Sequence, residues 1–306
     1  MFFSSKSEVE YLTPLWKGER LEDGRPKVPD SVLNRMRRLT FEEVWQTAWD
    51  HNYEFQVEGD LRTTHPANPP LVGRALTVEC TPFREDLHMV CKAESQAFGF
   101  KGDYNKSTVD RLIESDVMVV DFYDKITYGT YFGGNLSTQM ARKTKGGGAV
   151  IWGGIRDLDQ VMKISNLQIY HRGTHPTAIR DYVMTGYNRP CKIGRAVCMP
   201  GDVVFGSAEG VCFVPSHLAE ETANTAEKSH IKDIFGFQRL REGKYTATEI
   251  DNPWTESMWK DFMDWFKTSS ETKEFQYLDF ITDIENQRNG INHHRSRFRG
   301  GLPYNP

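Results

Sequence analysis

Apolar positions along the chain fall into short runs separated by stretches of helical spacing. "LVGRALTVEC" (71–80), "SDVMVVD" (115–121), "AVIW" (149–152) and "LQIYHRG" (167–173) are apolar and rich in β-branched residues. Runs of this length between turn formers read as buried strands. Between them, "DLHMVCKAESQAF" (86–98) and residues 136–145 carry apolar residues at helical spacing, and Gly146-Gly147-Gly148 stops the second helix. Residues 158–165 predict a short helix. Three closely spaced runs, "CKIGRAVCM", "DVVFG" and "GVCFVP", predict strands that pair locally, and 216–235 closes the unit as a helix. Upstream, Pro29-Asp30-Ser31 starts one helix, and Thr40 with Glu43 forms a capping box for another. Interleaved strands and helices make the class α/β, and the crowded late strands make its sheet mixed.

The two ends differ from this middle. Residues 1–28 are polar and read as an N-terminal extension draped over the surface. Residues 29–245 form the core domain, and 246–306 a helical and irregular C-terminal extension. There, Asn252 is placed to cap a helix with Pro253 in its first turn, and Met258, Phe262 and Phe266 recur at i, i+4 and i+8. Such an aromatic stripe reads as a docking face. The last twenty or so residues read as irregular.

Composition narrows the function. The chain has 306 residues, 38% hydrophobic and 26% charged, with a net charge of −4. That balance argues against a general nucleic-acid binder, which carries a basic face; the basic "HHRSRFRG" (293–300) reads as a tail. Five cysteines, an odd number with no C-x-x-C pair, argue against a disulfide framework or a structural zinc site. Cys80, Cys198 and Cys212 read as small core residues. No run approaches the ~18–20 apolar residues of a membrane helix, and "MFFSSKSEVEYL" lacks the pattern of a secretory signal. The expectation is a cytoplasmic protein without membrane contact.

The stretch with most chemical content is "GGNLSTQMARKTKGGGAVIWGGIRD" (133–157). It contains neither G-x-x-x-x-G-K-[ST] nor G-x-G-x-x-G, so it is not a nucleotide phosphate loop. Two readings remain. In one, glycines turn the chain and Arg156-Asp157 is a surface ion pair of little worth. In the other, the turn before residue 136 opens a helix whose free N–H groups bind a carboxylate. Arg156, at the end of a buried strand, grips the same kind of anion. Asp157 offers a hard oxygen to Mg²⁺. A cation there can stabilise the enolate that aldol cleavage and β-keto acid decarboxylation both require.

These residues resemble the RraA-like family, whose enzymatic members include the 4-hydroxy-4-methyl-2-oxoglutarate aldolases, the class II pyruvate aldolases. The family signature is an acidic residue, twenty intervening residues, then Arg-Asp. Here Asn135 stands at the acidic position ahead of Arg156. "LVGRALTVEC", "SDVMVVD", "YHRGTHPT" and "MPGDVVFGSAEGVCFVP" match further family segments in order. The resemblance covers roughly residues 30–245. It implies a swivelling-type β/β/α core and a homotrimer or homohexamer with sites between subunits. It also implies a divalent ion, Mg²⁺ (or Mn²⁺), at Asp157. By position, Arg156 is the substrate clamp, and the Gly134 turn with the amides of Asn135, Leu136 and Ser137 cradles a carboxylate. Asp233 is the candidate for a further acid supplied by a neighbouring subunit's late helix. The departures are a neutral Asn135, Trp152 where the family often has Asp, and "GSAEG" with Glu209 as its only acid.

Other residues leave alternatives open. Arg172 either lines the site or makes a structural ion pair; His171 and His175 lie close to it in sequence. Asp121 and Asp124 follow a buried strand and are candidates for metal or substrate contact, with Tyr123 and Lys125 weaker ones. The leading expectation is a divalent-metal-dependent carbon–carbon lyase acting on a small 2-oxo or hydroxy acid. The alternatives are a non-catalytic regulator that binds a ribonuclease, and a lyase or hydratase of sugar-derived substrates.

Overall fold

A computed structural model describes residues 2–290. α1 (Lys6–Leu12) opens with a capping box between Ser5 and Glu8. α2 (Asp30–Met36) and α3 (Phe41–Asp50) follow, the latter on the expected Thr40–Glu43 capping box. Next come β1 (Val57–Glu58), β2 (Arg62–Thr63), β3 (Leu71–Pro82), α4 (Glu85–Ala97), α5 (Tyr104–Asp110) and β4 (Asp116–Lys125). α6 (Gly134–Thr144), β5 (Gly148–Ile155), α7 (Leu158–Val161), β6 (Gln168–Thr174) and β7 (Tyr182–Tyr187) complete the middle. The chain continues through β8 (Cys191–Ile193), β9 (Ala196–Cys198), β10 (Val203–Ser207) and β11 (Gly210–Val214). It closes with α8 (Ala219–Arg241), α9 (Ala247–Ile250), α10 (Glu256–Thr268) and α11 (Ile281–Arg288).

β3, β4, β5 and β6 run parallel at the centre of the sheet. β10, β11 and β1 extend one edge antiparallel, and β2 closes the other against β6. β3 is long enough to take two partners on one side. Its residues 71–74 pair with β10, and its residues 78–82 pair with β7. The result is the mixed α/β sheet expected, with the C-terminal helices beside it.

Strand periodicity separates the faces. Leu76, Val78, Met118, Val120, Ala149 and Ile151 point to one side, where they pack with α5, α6 and α7. Ala75, Val117, Val119, Val150 and Tyr170 point to the other, under the β8–β9 hairpin. At the antiparallel edge, Val203, Phe205, Cys212 and Val214 meet α2, α3 and α8. A fourth cluster joins the end of α8 to α10 through Phe235, Trp254, Phe262 and Phe266, so the aromatic stripe does dock on the chain. All five cysteines are buried and free.

Several local expectations change. "CKIGRAVCM" is two strands, because Gly194 adopts φ +58° and reverses the chain. "YVMTGY", read as no element, is β7; its pairing partner is distant in sequence. α10 is capped by Thr255, whose side chain accepts from the Met258 amide. Asn252 instead donates back to Thr248 O at the end of α9. α6 starts at Gly134 and is closed by Lys145 in the left-handed conformation rather than by the glycines. The tail containing His293-His294 lies outside the described residues.

Nor is the N-terminal segment a loose drape. Phe3 and Val9 are buried, and Arg25 is 1% exposed. The Arg25 guanidinium meets the Asp116 carboxylate in two hydrogen bonds of 2.9 and 3.0 Å, and its Nε reaches Asp23 at 2.7 Å. Asp116 opens β4 and is fully buried, so this ion pair pins the segment to the central sheet.

Candidate active site

Two backbone hydrogen bonds bring the ends of the glycine-rich stretch together. The Tyr131 amide donates to Gly154 O at 2.8 Å, and the Arg156 amide to Phe132 O at 3.0 Å. The end of β5 is thereby laid along the loop that enters α6. Asp157 then takes φ +58°, ψ +38°, a left-handed conformation that Asp tolerates better than most residues. Its carboxylate does not cap its own helix α7. It turns to α6, where Oδ2 accepts the Gly134 N–H at 3.0 Å. Arg156 Nη1 donates to both carboxylate oxygens, at 3.2 and 2.9 Å.

Gly133 is required for this approach. A Cβ on Gly133 would stand 2.2 Å from Asp157 Oδ2 and 2.7 Å from Arg156 Cγ. A Cβ on Gly134 would meet the Oε1 of Gln160 at 2.4 Å. Gln160 was not singled out from the sequence. Its position three residues after Asp157, in the same helical turn, is the signal that places it on the site.

The helix terminus is only partly available to a ligand. Gly134 has its amide on Asp157. Ser137 is turned inward: both its N–H and its Oγ–H donate to Gly133 O, at 3.0 and 2.9 Å, so its amide cannot join a carboxylate cradle. Asn135 is exposed and Leu136 half-buried, and no acceptor for either amide is present among the described residues. Arg156 is about one-third exposed, and its Nε and Nη2 hydrogens are unpaired among those residues. The open donors are thus two amides and one face of a guanidinium, beside an ionic pair.

The other candidates sort differently. Arg172 stacks on Trp152, 4.5 Å from ring centroid to Cζ, and pairs with Asp124 at 2.9 Å and with the Asp60 carboxylate. Of its two open readings, the ion pair is what forms. That pair also engages Asp124. The Asp121 carboxylate accepts the Tyr123 amide at 2.9 Å; burial raises its pKa, and the Lys192 charge opposes the rise. Lys125 donates to Arg180 O at 2.9 Å, and Tyr123 OH to Asp181 O at 3.0 Å. His171 is buried, bonded to Gly173 O, and pushed down to about 4 by desolvation. His175 holds Thr177. Glu209 closes its own turn with Ser207. Asp233 is exposed on α8, with Glu43, His230, Lys232 and Asp251 as its charged neighbours. Within one chain it forms no hydrogen bond or ion pair with residues 133–157 among the described residues.

The family model described as RraA-like, Aldolase/RraA, matches residues 47–213, more than half of the chain. The chain belongs to the RraA-like family. It is 30% identical over 161 residues to a Halalkalibacterium halodurans protein named provisionally as a 4-hydroxy-4-methyl-2-oxoglutarate aldolase. That alignment covers 52% of this chain and 74% of the relative. The fold is shared with Streptomyces coelicolor RraAS2, described as an unusual member of the RNase ES inhibitor RraA protein family. The TM-score is 0.57 at 22% identity, covering 70% of this chain and all of that one. An uncharacterized Pseudomonas syringae pv. tomato protein superposes with a TM-score of 0.59 at 19% identity, over 74% of this chain and 98% of that one. The RraA-like family thus holds aldolase-type lyases and ribonuclease inhibitors on one fold. No helix among the described residues is long and apolar enough to cross a membrane.

The RraA-like resemblance carries a divalent ion, and the donor set can be tested against it. Asp157 is the carboxylate that faces the glycine turn. Among the described residues no group of three or more His, Cys, Asp or Glu side chains could enclose a metal. A lone carboxylate is a donor that Mg²⁺ accepts, since that ion keeps several waters and binds through one or two carboxylates. The exposed Asn135 amide, at the start of α6, can hydrogen-bond such a water but adds no charge.

Proposed function

We propose that the chain is a carbon–carbon lyase for a small 2-oxo or hydroxy acid, acting by retro-aldol cleavage or β-keto acid decarboxylation with Mg²⁺ (or Mn²⁺) at Asp157. The observation that carries this reading is the convergence at the glycine turn. Arg156 and Asp157 are pressed against Gly133, with the Asp157 carboxylate bonded to the first amide of α6 and the next two amides left open. The provisional aldolase name of the 30% identical relative supports it.

In this reading the substrate carboxylate takes the open amides of Asn135 and Leu136 and the unpaired N–H groups of Arg156. Both reactions leave an electron pair on the carbon next to the keto group, and a bound divalent ion supplies the charge that stabilises the resulting enolate. Asp157 fixes that ion's position, and its bond to Gly134 fixes Asp157. Arg156 holds the substrate's orientation, which accounts for much of the rate in such reactions. Asn135 cannot act as a base, so it serves to hydrogen-bond and not to move protons. Assembly into a homotrimer or homohexamer belongs to the same proposal, with Asp233 of a neighbouring copy as the added acid; light scattering and an Asp233→Ala assay test it.

One observation favours the ribonuclease-regulator reading: the family's acidic position is the neutral, exposed Asn135. Trp152 and the Arg172 pair, in place of an acidic wall, favour a changed substrate such as a sugar-derived acid. Pyruvate release from oxaloacetate and from hydroxylated 2-oxo diacids, with Mg²⁺ and with EDTA, separates the readings. Turnover lost in EDTA and restored by Mg²⁺ supports the lyase; no turnover on any of these, with intact binding to a ribonuclease, removes it.

A further inference from the structure

A cavity of about 240 Å³ lies between the N-terminal segment and the core, and none of residues 133–160 lines it. Trp16 and Leu12 form one side, and Tyr53, Val197, Met199 and His217 the other. Asp202 also lines it and is 5% exposed. Its two oxygens accept the Met199 amide at 2.8 Å and the Ser216 amide at 3.3 Å, which leaves a lone pair on each. No cation pairs with it among the described residues, and no lysine or arginine lines the cavity. Among the described residues its charge acts on the thiols of Cys198 and Cys212, which offer no positive charge. The His217 ring lines the same cavity and forms no hydrogen bond, with Asp202 or otherwise, among the described residues.

A buried carboxylate without a counter-ion is costly. Here it faces a cavity whose other walls are mainly aromatic and aliphatic. Beyond Asp202 the side-chain oxygens on these walls are the neutral ones of Thr13, Tyr53, Gln56 and Ser216, a poorer set for a divalent metal ion than several carboxylates. A cation carried on an apolar body satisfies both parts, because aromatic side chains attract it and the carboxylate neutralises it. The volume falls below the ~300–1,000 Å³ of drug-sized sites, so the ligand is small.

We propose that this cavity binds a small alkyl- or arylammonium ion, with Asp202 taking the charge and Trp16 and Tyr53 enclosing the apolar part. This site is independent of the glycine turn and of the lyase reading. Isothermal titration of the full chain with phenethylammonium and with its uncharged counterpart 2-phenylethanol tests it. The ammonium is expected to bind at least about tenfold more tightly than the alcohol, about 1.4 kcal/mol. Asp202→Asn is expected to abolish that preference. Val197→Trp, at a position 42% exposed on the cavity wall, is expected to block both ligands while pyruvate release is unchanged. Equal affinity for the two ligands, absence of binding by either, or wild-type ammonium binding in Asp202→Asn overturns the proposal. Should Asp202→Asn fail to fold, unaltered ammonium binding in Val197→Trp overturns it instead.

Discussion

Asp157 occupies, with its own carboxylate, a position at the start of α6 where a bound anion would otherwise sit. Arg156 and Asp157 therefore satisfy each other, and Gly133 leaves room for them to do so; in the proposed reading a substrate or cation competes for them. Gly133→Ala drives a methyl group into Asp157 Oδ2 and Arg156 Cγ together. A displacement of about 1 Å at such a site costs roughly a hundredfold, so kcat/KM for pyruvate release should fall by about that factor. Gly134→Ala meets only the far end of the flexible Gln160 side chain, and its kcat/KM should stay within about tenfold of wild type. Steady-state kinetics on the two variants checks the contrast, and equal losses would contradict it. Asn135→Asp restores an acid at a helix N-terminus, worth about 0.3–1 kcal/mol of stability there. It should also tighten Mg²⁺ binding in a metal titration; weaker binding would count against the site. The Arg-Asp motif and the glycine turn were legible in the sequence. The Gly134–Asp157 bond was not, because it depends on one left-handed residue that no local pattern announces, nor was the inward turn of Ser137, which follows from α6 starting at Gly134.

At the scale of elements, the N-terminal segment is held by a contact that spans 91 residues, from Arg25 to Asp116. Breaking a buried ion pair from one side leaves an uncompensated charge and costs about 3–5 kcal/mol. Asp116→Asn should therefore lower the urea midpoint by a matching amount, whereas a loss under about 1 kcal/mol, the scale of a surface pair, would show that Arg25 is not held there. Alternation in "LVGRALTVEC" and "SDVMVVD", together with the Thr40–Glu43 box, exposed the central strands and α3 in advance, because those signals are local. Arg25 and the strand "YVMTGY" escaped notice because their partners, Asp116 and the end of β3, lie far along the chain. Asn252 misled for the opposite reason: it fits a local capping pattern, yet Thr255 sits where α10 enters its packed cluster.

For the whole molecule, stability carries the mark of Asp202. Burial pushes its carboxyl up to about 7, against the Met199 and Ser216 amides that draw it down. In the unfolded chain such a group titrates near about 3.9. Between these values the folded chain keeps a proton that the unfolded chain has lost, so this contribution to stability falls as pH rises, by at most ~1.4 kcal/mol per unit. It is complete below about pH 4 and gone above about pH 7. His171, neutral in the fold, acts in the opposite sense as pH falls below its unfolded value. The comparison must therefore be wild type against Asp202→Asn: the wild-type Tm should drop relative to the variant between about pH 4 and pH 7, and parallel curves would contradict it. The central claim, that the glycine turn with Arg156 and Asp157 is the catalytic site of an RraA-like lyase, meets its most direct test in pyruvate release from oxaloacetate by wild type and Asp157→Ala at saturating Mg²⁺. The account predicts turnover in wild type and its near-complete loss in the folded variant; equal rates from the two proteins would contradict it.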